Sequence, residues 1–165
     1  MTTVIEVRIA PVEAGDRSAI EELFEACSAE TVQLRFFARF RAFPAAYLDD
    51  LLAGPPERHD AVIAREGPTG PVLGLGTLAR LDADTAELGL LVGDAWQRQG
   101  LGGAMTDTLL ARARERGVSR LRVDVAHGRS ALLGALGRRL PAGLRQSTRE
   151  GVTGLYRLDQ PAAHP

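Results

Sequence analysis

Residues 87–105 read Glu-Leu-Gly-Leu-Leu-Val-Gly-Asp-Ala-Trp-Gln-Arg-Gln-Gly-Leu-Gly-Gly-Ala-Met. The apolar run at 85–92 has the length of a buried strand. Polar residues and glycines fill 97–103, and a helix is predicted from Leu101 to a stop at Gly117. Backbone N–H groups at a helix N-terminus lack partners, and the helix dipole adds positive potential there. The order strand, glycine-rich turn, helix therefore predicts an anion-binding site.

The turn differs from two common phosphate-binding loops. No Gly-Lys-Ser/Thr follows the glycines, which excludes a Walker A loop. A Gly-x-Gly is present at Gly100 and Gly102, but residue 105 is Met and the turn follows the fourth predicted strand, which does not fit a dinucleotide fingerprint. An ordinary strand-to-helix turn with extra glycines would leave the polar triplet at 97–99 unexplained.

The segment Gln-Arg-Gln-Gly-Leu-Gly at 97–102, with Val92 five positions upstream, resembles the pyrophosphate loop of the GNAT superfamily of acyl-CoA N-acyltransferases. The resemblance implies that acetyl-CoA is the acyl donor and that the loop holds its diphosphate. It also implies that the end of strand four, at Leu91 and Val92, pairs with the pantetheine arm, and that the Val92 N–H is the oxyanion donor. The loop residues implied in binding are Gln97, Arg98, Gln99, Gly100, Leu101, Gly102 and Gly103.

The order of predicted elements extends the resemblance to nearly the whole chain. The elements are a strand at 4–9 ended by Pro11, a helix at 16–27, a helix capped by Ser28 that reaches Phe40, a helix at 44–52, strands at 61–65, 72–80 and 85–92, the helix from 101, a strand at 120–125, a helix at 130–139 and strands at 144–148 and 152–159. This is the α/β GNAT fold, a central mixed and mostly antiparallel seven-stranded sheet with helices on both faces. Strands four and five are expected to be parallel and splayed. We expect one domain at 1–159 and a flexible tail at 160–165.

Three short segments narrow the resemblance to the acetyltransferase domain of bacterial Pat-type protein lysine acetyltransferases. These are Ser-Ala-Glu-Thr at 28–31, Arg-Phe-Phe at 35–37, and Ala-Glu at 86–87. The resemblance implies that Glu87 is the catalytic base. A Glu pKa of about 4.3 lies far below the pKa of about 10.4 of an alkyl ammonium. Glu87 must therefore have a raised pKa, act through water, or only bind the ammonium; read from the strand alone, it is a surface carboxylate.

The sequence departs from the family where many members carry an Asn and a Tyr that protonates the leaving thiolate. Gly-Arg-Ser stands at 128–130, and the helix that follows contains no Tyr. Tyr156 and His127 remain candidates for the general acid. Without that role, Tyr156 would be a strand residue that packs at the last hairpin, and His127 would be a solvated loop residue. Asp124 either pairs with an arginine or lines the acceptor side. Trp96 is interpreted as an anchor that packs the turn.

Composition limits the function classes. The chain has 165 residues and a net charge of −1, so nothing points to nucleic acid or a membrane as partner. A single cysteine, Cys27, excludes an internal disulfide and a cysteine-based metal site, and no metal is predicted. Without a signal peptide or long apolar span, we expect a cytoplasmic protein. All 20 Lys and Arg residues are Arg, so the chain cannot acylate side-chain lysines of its own.

Two functions fit these observations. The first is an N-acetyltransferase that passes an acetyl group from acetyl-CoA directly to an amine acceptor. The acceptor is a protein lysine if the Pat likeness holds, and a small-molecule amine or an N-terminal amine if it does not. The second is a catalytically silent acyl-CoA-binding regulatory module, suggested by the missing Asn and Tyr. The identity of the acceptor, the acyl-chain preference and the oligomeric state, a homodimer included, stay open.

Overall fold

A computed structural model describes residues 6–37, 42–129, 131–140 and 143–158. The strands are β1 (Val7–Pro11), β2 (His59–Glu66), β3 (Val72–Arg80), β4 (Thr85–Val92), β5 (Arg120–Ala126), β6 (Gly143–Ser147) and β7 (Gly151–Arg157). The helices are α1 (Arg17–Ala26), α2 (Ala29–Phe36), α3 (Ala45–Ala53), α4 (Leu101–Glu115) and α5 (Ala131–Arg139). The strands form one sheet in the order β1-β2-β3-β4-β5-β7-β6. All neighbours are antiparallel except β4 and β5, which confirms the predicted mixed sheet.

The parallel pair separates along its length. β4 and β5 share three register pairs, which join Thr85 to Arg120, Ala86 to Leu121 and Glu87 to Arg122. These two strands, both fully described, have no further pair beyond that point. The predicted splay between strands four and five is therefore confirmed, and it begins at Glu87.

Alternation along the strands divides the core into two layers. In β2, Val62 and Ala64 belong to a cluster with α4 and α5, whereas Ala61 and Ile63 belong to a cluster with α1, α2 and α3. The helices therefore cover both faces of the sheet. Burial of these apolar faces drives the assembly of the layers.

Helix α4 lies close to the sheet because β3 carries glycines where the helix crosses it. A Cβ atom at Gly74 would come within 2.8 Å of the Met105 side chain, and one at Gly76 within 2.8 Å of Leu109. Both helix side chains are fully buried. This close packing fixes the N-terminus of α4 just beyond the end of β4.

Most element bounds lie within two residues of the sequence-based expectation, and the differences at β1 and α2 have a clear physical cause. β1 continues through Pro11, which pairs with Val62; β1 is an edge strand, where a missing N–H costs little. α2 ends at Phe36 because Phe37 adopts a left-handed conformation with φ 57°. The predicted start of the first strand at 4–5, the helical Phe40 and the tail at 160–165 lie outside the described residues.

Candidate active site

The gap between β4 and β5 opens into a cavity of about 390 Å³. Helix α2 covers this cavity on one side of the sheet. Most of its lining is apolar, and four charged side chains reach it. The apolar side chains are Leu34, Phe36, Phe37, Leu88, Leu90, Val125, Ala126 and Leu132, and the charged ones are Arg35, Glu87, Asp124 and Arg129.

The backbone of β4 presents hydrogen-bonding groups to the gap. The Gly93 N–H donates to the Leu73 carbonyl at 2.9 Å, so position 93 faces β3. Because strand residues alternate, Leu91 also directs its backbone groups to β3, whereas Leu90 and Val92 direct theirs toward β5. The structure thus brings the Val92 N–H to the gap and leaves the backbone of Leu91 in the β3 ladder.

The turn after β4 ends in an open helix N-terminus. Gly100 is the N-cap of α4 and has φ 86°, a left-handed conformation that glycine adopts without a steric penalty. No side chain caps the helix there. The first intrahelical N–H bond is from Ala104 to the Gly100 carbonyl, at 3.0 Å. The N–H groups of Leu101, Gly102 and Gly103 therefore lack helical acceptors and can bind an anion beside the gap.

Two side-chain contacts fix this turn against α2. Asp94 Oδ1 accepts from the Ser28 N–H at 2.9 Å. Gln97 Nε2 donates to Thr31 Oγ1 and to the Val92 carbonyl, each at 3.1 Å. The Ser28 N–H is the main reason that the pKa of Asp94 is below its usual value.

The other residues of the predicted loop and its neighbour Trp96 are either exposed to solvent or packed against the core. Arg98 and Gln99 are exposed, and Gln99 Nε2 donates to the Ala95 carbonyl at 2.9 Å. Trp96 packs against the buried core, as the interpretation as an anchor predicted. Sequence reasoning missed Arg139, whose guanidinium would lie 3.1 Å from a Cβ atom at Gly103. Its Nε lies 2.6 Å from Asp107 Oδ1, so its charge near the start of α4 is already paired.

Glu87 lies at the point where β4 and β5 part. Its side chain is half-buried and lines the cavity. Burial raises the pKa of Glu87, and the negative charge of Asp124 raises it further, while Arg122 and Arg35 act in the opposite direction. No described residue donates a hydrogen bond to its carboxylate. The sequence left three possibilities for Glu87: a raised pKa, action through water, or binding of the ammonium alone. The burial of its side chain agrees with the first.

Asp124 reaches the same cavity from β5. Thr153 Oγ1 donates to its Oδ1 at 2.5 Å, and Arg122 Nε lies 3.3 Å from its Oδ2. The sequence left open whether Asp124 pairs with an arginine or lines the acceptor side. It does both.

Arg35 lies at the base of the cavity, across the face of the sheet. Its Nη2 donates to Tyr47 Oη at 2.9 Å and to Thr77 Oγ1 at 3.1 Å. Its guanidinium also lies 4.6 Å from the centre of the Phe36 ring, within the range of a cation–π contact. The sequence supplied Arg35 only as part of a motif, without a role.

Neither candidate for the general acid is among the described residues that line the cavity. Tyr156 is 4% exposed, and its hydroxyl donates to the Leu133 carbonyl at 3.2 Å. His127 is exposed, and its Nε2 lies 3.0 Å from the Thr148 carbonyl. Tyr156 is therefore a buried strand residue and His127 an exposed loop residue, as the alternatives to an acid role predicted.

Two other features concern the residues that the structure describes, 6–37, 42–129, 131–140 and 143–158. In those residues no group of three or more His, Cys, Asp or Glu side chains is arranged to hold a metal ion. No helix in the same ranges combines the length and the apolar character needed to span a membrane.

Comparison with known proteins places these features in context. The sequence matches a family described as the acetyltransferase (GNAT) family over residues 18–136. Curated proteins gave no match. The GNAT domain of S. lividans PAT is 23% identical with a TM-score of 0.80, over 92% of this chain and 90% of that one.

Two other solved structures are similar. yncA from Salmonella typhimurium, solved with its cofactor acetyl-CoA, is 17% identical with a TM-score of 0.71, over 95% of this chain and 96% of that one. A cAMP-binding acyltransferase from Mycobacterium smegmatis is 24% identical with a TM-score of 0.63, over 93% of this chain and 44% of that one. At these identities the likeness shows a shared fold.

Proposed function

The chain belongs to the GNAT acetyltransferase family, and on that premise we propose that it transfers an acetyl group from acetyl-CoA to the amine of a protein lysine. The family consists of acyl-CoA-dependent N-acetyltransferases. The choice of acetyl as the acyl group, of lysine as the acceptor, and the roles of individual residues belong to the proposal. One observation carries it: a split in the sheet, with free backbone donors, lies directly beside an open helix N-terminus.

The donor binds along the split. The N–H groups at 101–103 hold the diphosphate, because helix N-termini attract anions and glycines let the phosphate approach the backbone. The exposed Arg98, two residues before the N-cap of α4, adds positive charge near this position. The pantetheine arm then runs between β4 and β5 and accepts a hydrogen bond from the Val92 N–H, as an added strand would. This fits a ligand with both a charged end and an amide-containing arm.

The acceptor approaches from the side of α2. A lysine arrives as an ammonium and must lose a proton before its nitrogen can attack. Glu87 takes that proton. Its raised pKa makes the difference between its pKa and that of the ammonium smaller, which favours the transfer. The C–N bond forms as the C–S bond breaks, and the second nitrogen proton leaves with the thiol product. We propose the Leu90 N–H as the donor that stabilises the negative charge on the thioester oxygen, because it faces the gap and lies closer to Glu87 than the Val92 N–H does.

A dedicated general acid is not required for this reaction. A thiol pKa near 8.5 makes the thiolate an acceptable leaving group at neutral pH. The Tyr156 hydroxyl is bonded to the Leu133 carbonyl in the buried layer beneath α5. We therefore propose that the thiolate takes its proton from the attacking nitrogen or from water.

A protein lysine suits the shape of the acceptor side. The cavity continues into further pockets of about 370 and 270 Å³, which meet at Phe37 and Glu150. A groove of this extent gives a long side chain access and leaves room for the segment that carries it. The likeness to the GNAT domain of S. lividans PAT supports the same choice. A small-molecule amine is the alternative acceptor.

The catalytically silent acyl-CoA-binding module is the second candidate function. The missing Asn and Tyr favour it, whereas a half-buried carboxylate with a raised pKa at the split favours catalysis. In a regulatory module, acyl-CoA would bind at the same split, but no acceptor would be acetylated.

A thiol-release assay separates these functions. The purified protein is mixed with acetyl-CoA and a panel of small amines, lysine peptides and lysine-containing proteins, and mass spectrometry locates the acetyl group. Because the chain has no lysine, self-acetylation of side-chain amines cannot mimic turnover. We expect turnover on a lysine acceptor, its loss in Glu87→Gln, and its retention in Glu115→Gln, which removes an exposed charge far from the split. Acetyl-CoA binding without turnover on any acceptor would overturn the enzymatic proposal in favour of the silent module.

A further inference from the structure

Two carboxylates line one cavity from opposite sides of the split. Glu87 stands on β4 opposite Arg122, so Asp124, two residues further along β5, projects from the same face of the sheet. Both side chains reach the cavity between the strands. The charge of Asp124 is one of the causes of the raised pKa of Glu87, which means that the two carboxylates interact. Two like charges held together in a mostly apolar cavity suggest a cationic ligand.

Asp124 is held in a fixed orientation. Its Oδ1 accepts from Thr153 and its Oδ2 lies near Arg122. A carboxylate oxygen has two lone pairs, so each oxygen can still accept one more hydrogen bond. Glu87 accepts none from the described residues. Together the two groups offer several acceptor positions to a donor with three N–H bonds, such as an alkyl ammonium.

The cations around this pair have other contacts. Arg35 of α2 donates to Tyr47 and Thr77. Arg129, which follows β5, pairs with Glu30 of α2 at 2.7 Å. On the far side, His59 of β2 lies in the same cross-strand row as Glu87, and burial lowers its pKa, so it adds no charge at neutral pH. Arg122 is the one described cation that faces both carboxylates, and its contact is to Asp124.

We propose that Glu87 and Asp124 together bind the ammonium of the acceptor, with Asp124 as the group that holds the cation and Glu87 as the group that takes its proton. This inference rests on the proposed function. One proton passes from the bound ammonium to the Glu87 carboxylate, and the neutral amine then attacks the thioester carbon. Glu87 afterwards returns its proton to water. The pair therefore selects acceptors that carry an alkyl ammonium at the end of a slender chain.

The test compares wild type with Asp124→Asn, which keeps the shape of the side chain and can still accept from Thr153. The acceptor is Nα-acetyl-L-lysine methylamide. We expect the KM for this amine to rise roughly tenfold, or about 1.4 kcal/mol, with a smaller change in kcat and no change in the KM for acetyl-CoA. The effect is modest because the Asp124 side chain is 28% exposed and water screens its charge. Glu115→Gln controls for net charge.

The pH profile adds a readout that a purely structural role would not move. The acid limb of kcat/KM reports the ionisation of the base in the free enzyme. Because Asp124 raises the pKa of Glu87, Asp124→Asn should move that limb to lower pH. Arg122 lowers the same pKa, so Arg122→Gln should move the limb to higher pH. Opposite shifts from two neighbouring residues identify an electrostatic effect on Glu87. An unchanged KM together with an unmoved limb in Asp124→Asn would overturn the inference.

Direct binding separates this inference from the proposed function. If wild type acetylates no acceptor, the proposed function fails, and calorimetric titration of the desulfo-CoA complex with the lysine derivative still tests the pair. Roughly tenfold weaker binding to Asp124→Asn, with no such loss for the norleucine analogue that lacks the ammonium, would support the cation site. Equal binding to both proteins, or no binding to wild type, would overturn it. If Asp124→Asn does not fold, two other variants replace it. Arg122→Gln serves for the pH profile. Thr153→Val serves for the binding measurement, because it removes the hydrogen bond to Asp124 Oδ1 and leaves the charge of Asp124 in place. Thr153→Val should then raise the amine KM less than tenfold, and an effect larger than that would contradict the assignment of the binding energy to charge.

Discussion

The guanidinium of Arg35 lies directly against the backbone of Gly89, in the space that any side chain at position 89 would fill. Gly89 is buried in the middle of β4. Glycine weakens a strand interior, since it costs chain entropy and packs nothing. Here its absence of a side chain lets a cation from α2 rest on the sheet, within electrostatic range of Glu87.

Gly89→Ala tests this arrangement. The added methyl group would collide with the guanidinium and displace it from Tyr47 and Thr77. We expect the free energy of unfolding to fall by about 1–3 kcal/mol, as for other overpacked sites. Since Arg35 lowers the pKa of Glu87, its displacement should raise that pKa and move the acid limb of kcat/KM to higher pH. Urea denaturation and the pH profile measure the two effects.

Gly137→Ala is the matched control for that substitution. Gly137 lies in α5, and a Cβ atom there would have no neighbour within 4 Å. Alanine should stabilise the helix by up to about 1 kcal/mol and leave the pH profile unchanged. Equal effects of the two substitutions would contradict the role assigned to the Arg35–Gly89 contact.

The turn at 97–103 could be predicted from the sequence because every signal is local. The strand, the polar triplet, the glycines and the helix follow one another within a short stretch of chain, and each has its own periodicity or turn chemistry. The element order, together with the family it resembles, then predicted the mixed sheet, since a helical crossover between strands four and five is typical of a parallel pair. These features depend on neighbours along the chain, which a sequence displays.

The contacts that complete the site could not be predicted in this way. Asp124 lies near Glu87 because of the register of the parallel pair. The period-2 pattern predicts which face each strand buries, but it does not predict which residue of β5 lies opposite Glu87. Arg35 meets Gly89 from a distant part of the chain, through the docking of α2 on the sheet. Arg139 reaches the start of α4 from the end of α5. Each contact depends on tertiary packing, so the sequence showed the residues without their partners.

Gly102→Asp should separate folding from donor binding. A Cβ atom at Gly102 would meet only Leu90, at an ordinary 3.7 Å. A carboxylate in the first turn of a helix is stabilising by about 0.3–1 kcal/mol, so the melting temperature without ligand should stay the same or rise. The same carboxylate repels a diphosphate. The thermal stabilisation of wild type by CoA, about 2.7 kcal/mol at a concentration 100 times Kd, should disappear.

Gly102→Asn has nearly the shape of Gly102→Asp without its charge. We expect it to keep more of the thermal shift with CoA. If Gly102→Asp retained the full shift, the diphosphate would have to bind away from the N-terminus of α4.

The single thiol should be unreactive at neutral pH. Burial raises the pKa of Cys27 to about 11, and the charge of Asp94 contributes. Only the thiolate reacts with iodoacetamide, so at pH 8 alkylation should be roughly a hundredfold slower than for a free thiol. The rate should rise about tenfold per pH unit toward pH 11. Alkylation in urea-unfolded protein gives the reference rate, and a plateau near pH 8.5, the ordinary thiol pKa, in the folded protein would contradict this prediction.

Glu87→Gln should make the protein less active and more stable. Removal of a general base lowers kcat by about 10²–10⁴. The pKa of Glu87 is raised in the folded state, so the folded protein binds that proton more tightly than the unfolded chain does. The stability of wild type therefore falls as the pH rises from about 4.5, the ordinary value, through the raised folded pKa.

The amide introduced by Glu87→Gln does not titrate, so the difference in stability between variant and wild type isolates this single group. Below pH 4.5 the side chain at position 87 is neutral in both proteins, and the two free energies of unfolding should differ little. At pH 7.5 the variant should be the more stable, because wild type then keeps a carboxylate half-buried beside Asp124. Urea denaturation at both pH values measures this difference, and a gain of equal size at both would show that burial of the charge is not its cause. The expected pattern would mean that the split in the sheet holds a group that opposes folding at the pH where the proposed reaction needs it ionised.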